Sequence, residues 1–313
     1  MKSRRDFIVK SGLAAGGAMI LPACSSGGET SGQQQRDTAK ETGQVVLKAN
    51  WNVGLQMYTL RNELKEDIDG TFKYVADLGY HEVELFDFRD GQYFGRPAAE
   101  FHKMIQGLGL RIPSAHYLTG RTQDASWQGT LKNGWESAVE AAVNAGQSYM
   151  TIGYLFEGER ETVAQYDELA ELLNKAGEVC RQANIQLCYH NHDFEFQSIG
   201  EVIPMYHILD NTDPNLLKME LDLYWVYKAG FDPLDFFERY PGRAELWHVK
   251  DMGDRDGEKD TFVEVGNGKL PFKDIFAKAG QAGLTHFFVE QDESPNPKES
   301  VKLSLSRVKE LLS

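Results

Sequence analysis

Past the first forty or so residues, short runs rich in β-branched and aromatic side chains alternate with longer stretches whose apolar positions recur every three to four residues. The short runs predict strands at 53–57, 82–86, 111–117, 149–154, 186–191, 217–222, 245–250 and 287–291. The periodic stretches predict helices at 68–78, 98–108, 135–144, 166–183, 202–209, 234–240, 272–279 and 300–312. Gly79, Gly107, Gly146, Asn184 and Gly283 each stand just ahead of a predicted strand, where they would end the preceding helix. Successive strands begin about 30 to 40 residues apart, one strand–helix unit each. Eight such units predict a closed α/β barrel of the (β/α)8 type, a single domain over residues 45–313. An open doubly wound sheet requires a glycine-rich turn after its first strand, and Gln56-Met57-Tyr58-Thr59 is not one.

A barrel carries its functional side chains at the C-terminal strand ends, where the loops into the helices begin. The polar residues there are Gln56 and Arg61 after the first strand, Glu84 on the second, His116 on the third, and His190, Asn191, His192 and Glu195 on the fifth. The sixth adds Glu220 and Asp222, the seventh His248, Lys250 and Asp251, and the eighth Glu290, Gln291 and Asp292. His190, Asp222, His248 and Glu290 each close an apolar run on one of four consecutive strands. Neighbouring strands stand about 4.8 Å apart, so four such side chains can converge on one ion. Two imidazoles with two carboxylates suit a single divalent ion, Mn2+ first and Zn2+, Co2+ or Fe2+ as alternatives, better than Ca2+.

Several segments resemble the xylose isomerase-like barrels, a family that includes sugar and inosose isomerases, ketose epimerases and repair enzymes of the endonuclease IV type. They are Gly54-Leu55-Gln56-Met57-Tyr58-Thr59-Leu60-Arg61, Gly79-Tyr80-His81-Glu82-Val83-Glu84-Leu85, Tyr189-His190-Asn191-His192-Asp193-Phe194-Glu195-Phe196, Leu221-Asp222, His248-Val249-Lys250-Asp251, Val265-Gly266-Asn267-Gly268 and Val289-Glu290. They span most of the chain beyond residue 45. The resemblance implies a metal held by side chains on strands five to eight, which fall here on His190, Asp222, His248 and Glu290. One position departs from the pattern: strand five offers His190 where the epimerases carry a glutamate. In those enzymes two metal-bound glutamates on opposite faces of the substrate carbon remove and return a proton, and only Glu290 of that pair remains here. A metal-bound neutral imidazole has no lone pair left to take a proton.

A divalent ion that chelates a carbonyl and its neighbouring hydroxyl acidifies the hydrogen on the adjacent carbon, and a placed base completes the transfer. Glu290, His192, His116 and Lys250 are the candidates for that base, with Lys250 alternatively a structural partner of Asp251 or Asp222. His192 could instead orient His190 or Glu195. Gln56, Glu84, His116 and Glu195 are expected to contact substrate hydroxyls. Tyr58, Phe86, Tyr117, Tyr154, Tyr224, Trp225 and Trp247 would ring the mouth, some stacking on sugar C–H faces and some packing barrel to helices. Val265-Gly266-Asn267-Gly268 lacks the lysine of a phosphate loop and is read as a tight, substrate-facing turn.

The first residues change the expected setting. Ser3-Arg4-Arg5-Asp6-Phe7-Ile8-Val9-Lys10 resembles a bacterial twin-arginine signal, and the apolar stretch 12–21 after it is too short to span a bilayer. Leu21-Pro22-Ala23-Cys24 looks like a lipobox, with Cys24 lipidated and residues 1–23 removed. Residues 24–44 are almost free of apolar side chains and are expected to form a flexible tether. The expected location is therefore periplasm or cell surface, with membrane contact through the lipid alone. Formal charge is −14, and losing Lys2, Arg4, Arg5 and Lys10 against Asp6 removes a net +3 to leave about −17. So acidic a chain argues against a nucleic-acid partner. Cys180 and Cys188 fall on a predicted helix and a predicted strand and are expected to be two buried thiols.

The leading expectation is a metal-dependent sugar isomerase or epimerase acting on an unphosphorylated carbohydrate, since phosphorylated sugars are scarce outside the cytoplasm. The alternative is a lyase on 3-keto-glycosides, which would expel a β-substituent after the same proton abstraction and needs only one base. A phosphodiesterase of the endonuclease IV kind would need more metal ligands and a basic groove. A sugar-binding lipoprotein without catalysis is the reading from outside enzymology.

Overall fold

The computed structural model describes residues 51–313 except Ala125 and Asp256. Cys24, the expected signal and the expected tether lie outside the described residues. Eight parallel strands make up the main sheet: β1 (Val53–Gln56), β2 (Glu82–Glu84), β3 (His116–Tyr117), β4 (Tyr149–Ile152), β5 (Gln186–His190), β6 (Leu217–Asp222), β7 (Leu246–Val249) and β8 (His286–Val289). Their hydrogen-bonded order is β2-β1-β8-β7-β6-β5-β4-β3. Parallel bridges Glu82↔Arg111 and Leu85↔Ala115 bring the two sheet edges together, so the barrel is nearly closed. The run predicted at 111–117 is regular only at His116–Tyr117, because Pro113 has no N–H to give to a ladder. Its carbonyl still accepts from Ser148 and Tyr149 at 3.0 and 2.9 Å.

A helix follows each strand: α1 (Ile68–Leu78), α2 (Ala98–Gly107), α3 (Trp135–Asn144), α4 (Val163–Gln182), α5 (Pro204–Asp210), α6 (Pro233–Arg239), α7 (Phe272–Ala277) and α8 (Pro297–Leu312). Local chemistry sets the starts. Asp67 accepts from the Gly70 amide at 2.9 Å, Thr162 and Gln165 form a reciprocal cap, and α5, α6 and α8 open on proline. Of the expected stops, Gly79, Gly146, Asn184 and Gly283 hold positive φ, while after α2 that conformation falls on Gly109 rather than Gly107.

Strand alternation sorts the side chains. Leu55, Val83, Met150, Leu187, Tyr189, Leu221, Trp247, Val249, Phe287 and Val289 are buried in the core that the barrel shares with its helices. Tyr149, Cys188, Leu246 and Phe288 form a separate apolar cluster on the opposite strand faces, the barrel floor. Cys180 lies on α4 against Met150, across the sheet from Cys188, and both are free, buried thiols. Trp247 stacks on Phe237 at 5.0 Å, and Tyr117 packs edge-on against Trp135, so neither belongs to the mouth. Two loop elements go beyond the predicted units. A small three-stranded sheet (Phe88–Arg89, Gln92–Tyr93, Arg96–Pro97) follows β2, and a hairpin (Asp251–Arg255 with Glu258–Val263) follows β7.

Candidate metal centre

Above the apolar floor the barrel interior turns polar. Glu84, Glu220, Asp222 and Glu290 are buried there, and the lysine among them is Lys250, itself buried. Four carboxylates out of water against one ammonium is a large charge imbalance. Protonated imidazoles or a divalent cation can correct it, and the histidines are in place for either.

His248 stands at the centre. Its Nδ1 lies 2.8 Å from Glu290 Oε2 and 3.7 Å from Asp222 Oδ2, while its Nε2 lies 2.7 Å from Glu84 Oε2 and 3.3 Å from Glu220 Oε2. Burial works against its charged form, but Glu220 and Glu290 carry its pKa well above the ordinary histidine value. Glu220 Oε2 is the hub of the inner group, 2.6 Å from His116 Nε2 and 3.3 Å from His190 Nδ1. His190 turns its other nitrogen toward Asp222 Oδ2 at 3.9 Å. Burial, reinforced by His248, pushes the His190 pKa down to about 4, so its ring is neutral.

Two donor sets result, and they share His248. Asp222, His248 and Glu290 can present one atom each to an ion at the mouth, and His116, His190, Glu220 and His248 can do so deeper in the barrel. Of the four ligands expected from sequence, three form the outer set and His190 joins the inner one while bordering Asp222. Both groups suit a divalent metal that accepts imidazole and carboxylate. Glu220 Oε1 and His190 Nδ1 also lack hydrogen-bond partners among the described residues, as donors to an ion would. Lys250 Nζ bridges Asp222 Oδ2 at 2.9 Å and Glu290 Oε2 at 2.7 Å, and reaches Asp292 Oδ1 at 3.0 Å. Burial opposes its charge, but these three carboxylates raise its pKa well above the usual lysine value. An ion in the outer set would displace the ammonium toward Asp292, which already holds it.

The inner carboxylates have a second use. A histidine that binds metal through one nitrogen generally gives its other N–H to a carboxylate, which fixes tautomer and ring angle. Glu84 meets that description for His248 and is itself held by Gln56 Nε2 at 2.9 Å. Gln56 and Glu84 are fully buried behind His248, so the expected substrate contacts are instead a brace. His116, bound to Glu220, shares that layer while keeping partial exposure. Exchanging Glu220 for glutamine is expected to weaken Mn2+ or Zn2+ binding about ten- to a hundredfold if it orients the imidazoles. Titration against a chelating dye measures this, and unchanged affinity would remove Glu220 from the centre.

Other expectations change with the coordinates. Glu195, expected to contact substrate, is fully buried and accepts from Tyr189 Oη at 2.7 Å and from the His192 amide at 2.8 Å, so here it braces the loop after β5. Burial raises its pKa to about 7. Asp251 gathers the amides of Met252, Gly266, Gly268 and Leu270 at 2.8 to 3.2 Å, and Val265 N–H donates to Ser304 on α8. The Val265-Gly266-Asn267-Gly268 turn is thus pinned against protein. A Cβ on Gly268 would lie inside contact distance of the Met252 carbonyl and the Asp251 carboxylate.

His192 remains at the mouth. It is partly exposed, stacked with Phe194 at 5.4 Å, edge-on to Tyr154 at 5.0 Å and tilted against Trp225 at 5.3 Å. Burial by this collar, then His190 and Lys250, hold its pKa well below the ordinary value, so it is a neutral imidazole. The role of Glu220 escaped the motif reading, although Lys218, Glu220 and Asp222 alternate with Leu217, Met219 and Leu221 and therefore share the inward face.

A nearly closed eight-stranded barrel with imidazoles and carboxylates converging at its C-terminal mouth defines a class of barrel enzymes with a built-in polar centre. The chain belongs to the xylose isomerase-like TIM barrel family, which residues 72–311 match. An inosose dehydratase of Geobacillus kaustophilus is 27% identical over 152 residues, 44% of this chain and 49% of that protein, so the chain spans about half the length of that relative. The crystal structure of a sugar phosphate isomerase/epimerase from Parabacteroides distasonis superposes with a TM-score of 0.70 at 28% identity, covering 85% of this chain and 97% of that one. The IolI protein, solved with a bound zinc atom, shares the fold at a TM-score of 0.61 and 12% identity over 84% of this chain and 98% of that one.

Proposed function

We propose that this protein is a metal-dependent lyase on an unphosphorylated keto-sugar, removing the proton beside the carbonyl and expelling the substituent on the next carbon. One observation carries the choice of elimination over epimerisation: the mouth offers a single unencumbered base. Glu290 is bound by Lys250 and His248, which outweigh its burial and keep its pKa well below the usual carboxylate value, whereas the neutral, partly exposed His192 ring makes no hydrogen bond or ion pair among the described residues. Asp222, His248, Glu290 and the adjoining His190 would hold the ion. When bound, that ion would draw electrons from a carbonyl and the adjacent hydroxyl oxygen and so acidify the neighbouring C–H.

His192 then accepts the carbon-bound proton, and the C–O bond to the β-substituent breaks as the new C=C forms. The Lys250 ammonium gives a proton to the departing oxygen, so an alcohol leaves, and exchange with water resets both groups. The dehydratase name of the Geobacillus relative supports this order of events, since loss of water after proton removal is the same reaction with hydroxide as leaving group. The Parabacteroides structure supports a second reading, isomerisation after the same first step. The twin-arginine-like start of the chain, outside the described residues, is the ground for proposing export and an unphosphorylated substrate.

Incubation of the Mn2+-loaded protein with a 3-keto-glycoside in D2O separates the two. Release of the aglycone is expected. Deuterium entering recovered sugar with no aglycone released would return the function to isomerase or epimerase.

A further inference from the structure

Over the C-terminal ends of β1 and β2 lies a cleft of about 590 Å3 bordered by Tyr58, Arg61, Lys65, Phe86, Asp87 and Phe94. A short relay of hydrogen bonds ties its wall to the metal centre. The Tyr58 amide donates to Gln56 Oε1 at 3.1 Å, Gln56 holds Glu84 at 2.9 Å, and Glu84 holds His248. Phe86 and Asp87 follow Glu84 directly in the chain after Leu85. We infer that this cleft is a subsite for the second sugar ring of a two-ring glycoside, whose first ring lies at the metal centre; this rests on the keto-sugar reading above.

The walls have the composition that a sugar ring requires. Tyr58 is 40% exposed and stands edge-on to Phe86 at 5.2 Å, leaving aromatic surface for the C–H face of a pyranose. The Arg61 guanidinium is fixed 4.4 Å over the Tyr58 ring by donation to the Tyr58 carbonyl at 3.1 Å, and forms no salt bridge among the described residues. Asp87 supplies an exposed carboxylate on the facing loop. A fixed guanidinium donates to a pair of neighbouring hydroxyls and a carboxylate accepts from them.

The loop after β2 is built to bring its part of this wall into position. Two-residue turns of its small sheet need positive φ at both central residues, a demand usually met by Asn-Gly or Asp-Gly. The first turn uses Asp90 and Gly91, but the second uses Phe94, at φ +50, and Gly95. A bulky ring in the left-handed region is disfavoured and is kept where its placement matters. Here the ring stacks on Phe101 at 5.6 Å, meets Phe86 at 5.4 Å and borders the cleft.

The test compares a 3-keto-disaccharide with the matching methyl 3-keto-glycoside. Wild-type protein is expected to favour the two-ring substrate about tenfold in kcat/KM, and Tyr58→Ala or Arg61→Met to reduce that preference by roughly two- to tenfold. Equal kcat/KM for the two substrates, or variants that leave the preference intact, would overturn the subsite. If neither substrate is cleaved, the lyase reading fails and saturation-transfer NMR with the same disaccharide decides the subsite alone. Transfer to the distal-ring protons that disappears in Tyr58→Ala upholds it, and transfer confined to the first ring overturns it. Tighter binding of a phosphorylated ketose than of the disaccharide, lost in Arg61→Met and Lys65→Met, would also overturn it in favour of a phosphate site.

Discussion

If the barrel holds the proposed ion, replacing His248 with alanine is expected to abolish divalent-metal binding and lower kcat by at least about a thousandfold. His248 is the side chain that both donor sets share, so the result does not depend on which set holds the metal. Its loss also leaves Glu84, Glu220, Asp222 and Glu290 inside the barrel without the imidazole that touches all of them. Breaking a buried ionic cluster by deleting one partner typically destabilises by about 3–5 kcal/mol, so the variant is checked for its circular dichroism spectrum and melting temperature. Asp222→Asn is the companion. It keeps the shape of a side chain whose Oδ1 caps the following turn by accepting from Trp225 N–H at 3.0 Å, and removes only the charge. Elemental analysis after gel filtration gives the readout. A His248→Ala protein that folds and still carries one equivalent of divalent metal would show that neither set is the centre.

The features that fix the fold lie close together in sequence, and they were legible there. Each strand is a short apolar run, and each helix is a period-3.6 segment with a local start and stop. The starts predicted for α4 and α8 are late because apolar periodicity begins inside a helix, whereas Thr162 with Gln165, and Pro297, mark where the backbone first turns; the start predicted for α5 is early, because apolar Val202 and Ile203 precede the proline on which that helix opens. The small sheet after β2 was hidden because two-residue strands have no periodicity to read; its turns carry the signal, and Phe94 disguises one of them.

The centre was legible to the same depth. That His190, Asp222, His248 and Glu290 end neighbouring strands follows from the chain alone. What lies beneath them does not, because Glu84 reaches His248 across 164 positions and His116 reaches Glu220 across 104. Such pairs depend on barrel closure and side-chain reach. Asp251 and Glu195 show the converse. Both sit at strand ends, where a barrel keeps its functional groups, yet one anchors a turn and the other a loop. Position nominates a residue, and its hydrogen-bond partners decide its role.

The second large effect concerns proton removal and separates His192 from the metal-holding residues. His192→Ala is expected to lower kcat by about 10²- to 10⁴-fold while the protein keeps its ion, the pattern of a lost general base. The side chain is partly exposed and packs against Tyr154, Phe194, Trp225 and His190, so the variant's circular dichroism spectrum is checked alongside its metal content. The sign of the pH dependence follows from its environment. A base must be neutral to act, and the collar, His190 and Lys250 hold the His192 pKa well below 6.5. The wild-type rate should therefore stay level as pH falls to 6.5 and decline only in more acidic buffer. With a substrate deuterated beside the carbonyl, slowed proton abstraction makes that step rate-limiting, so the isotope effect on kcat should grow in the variant. If His192→Ala retains the wild-type rate and isotope effect, the proton goes to another group. Glu290, released from Lys250 as the ammonium moves to Asp292, is then the base that the geometry leaves.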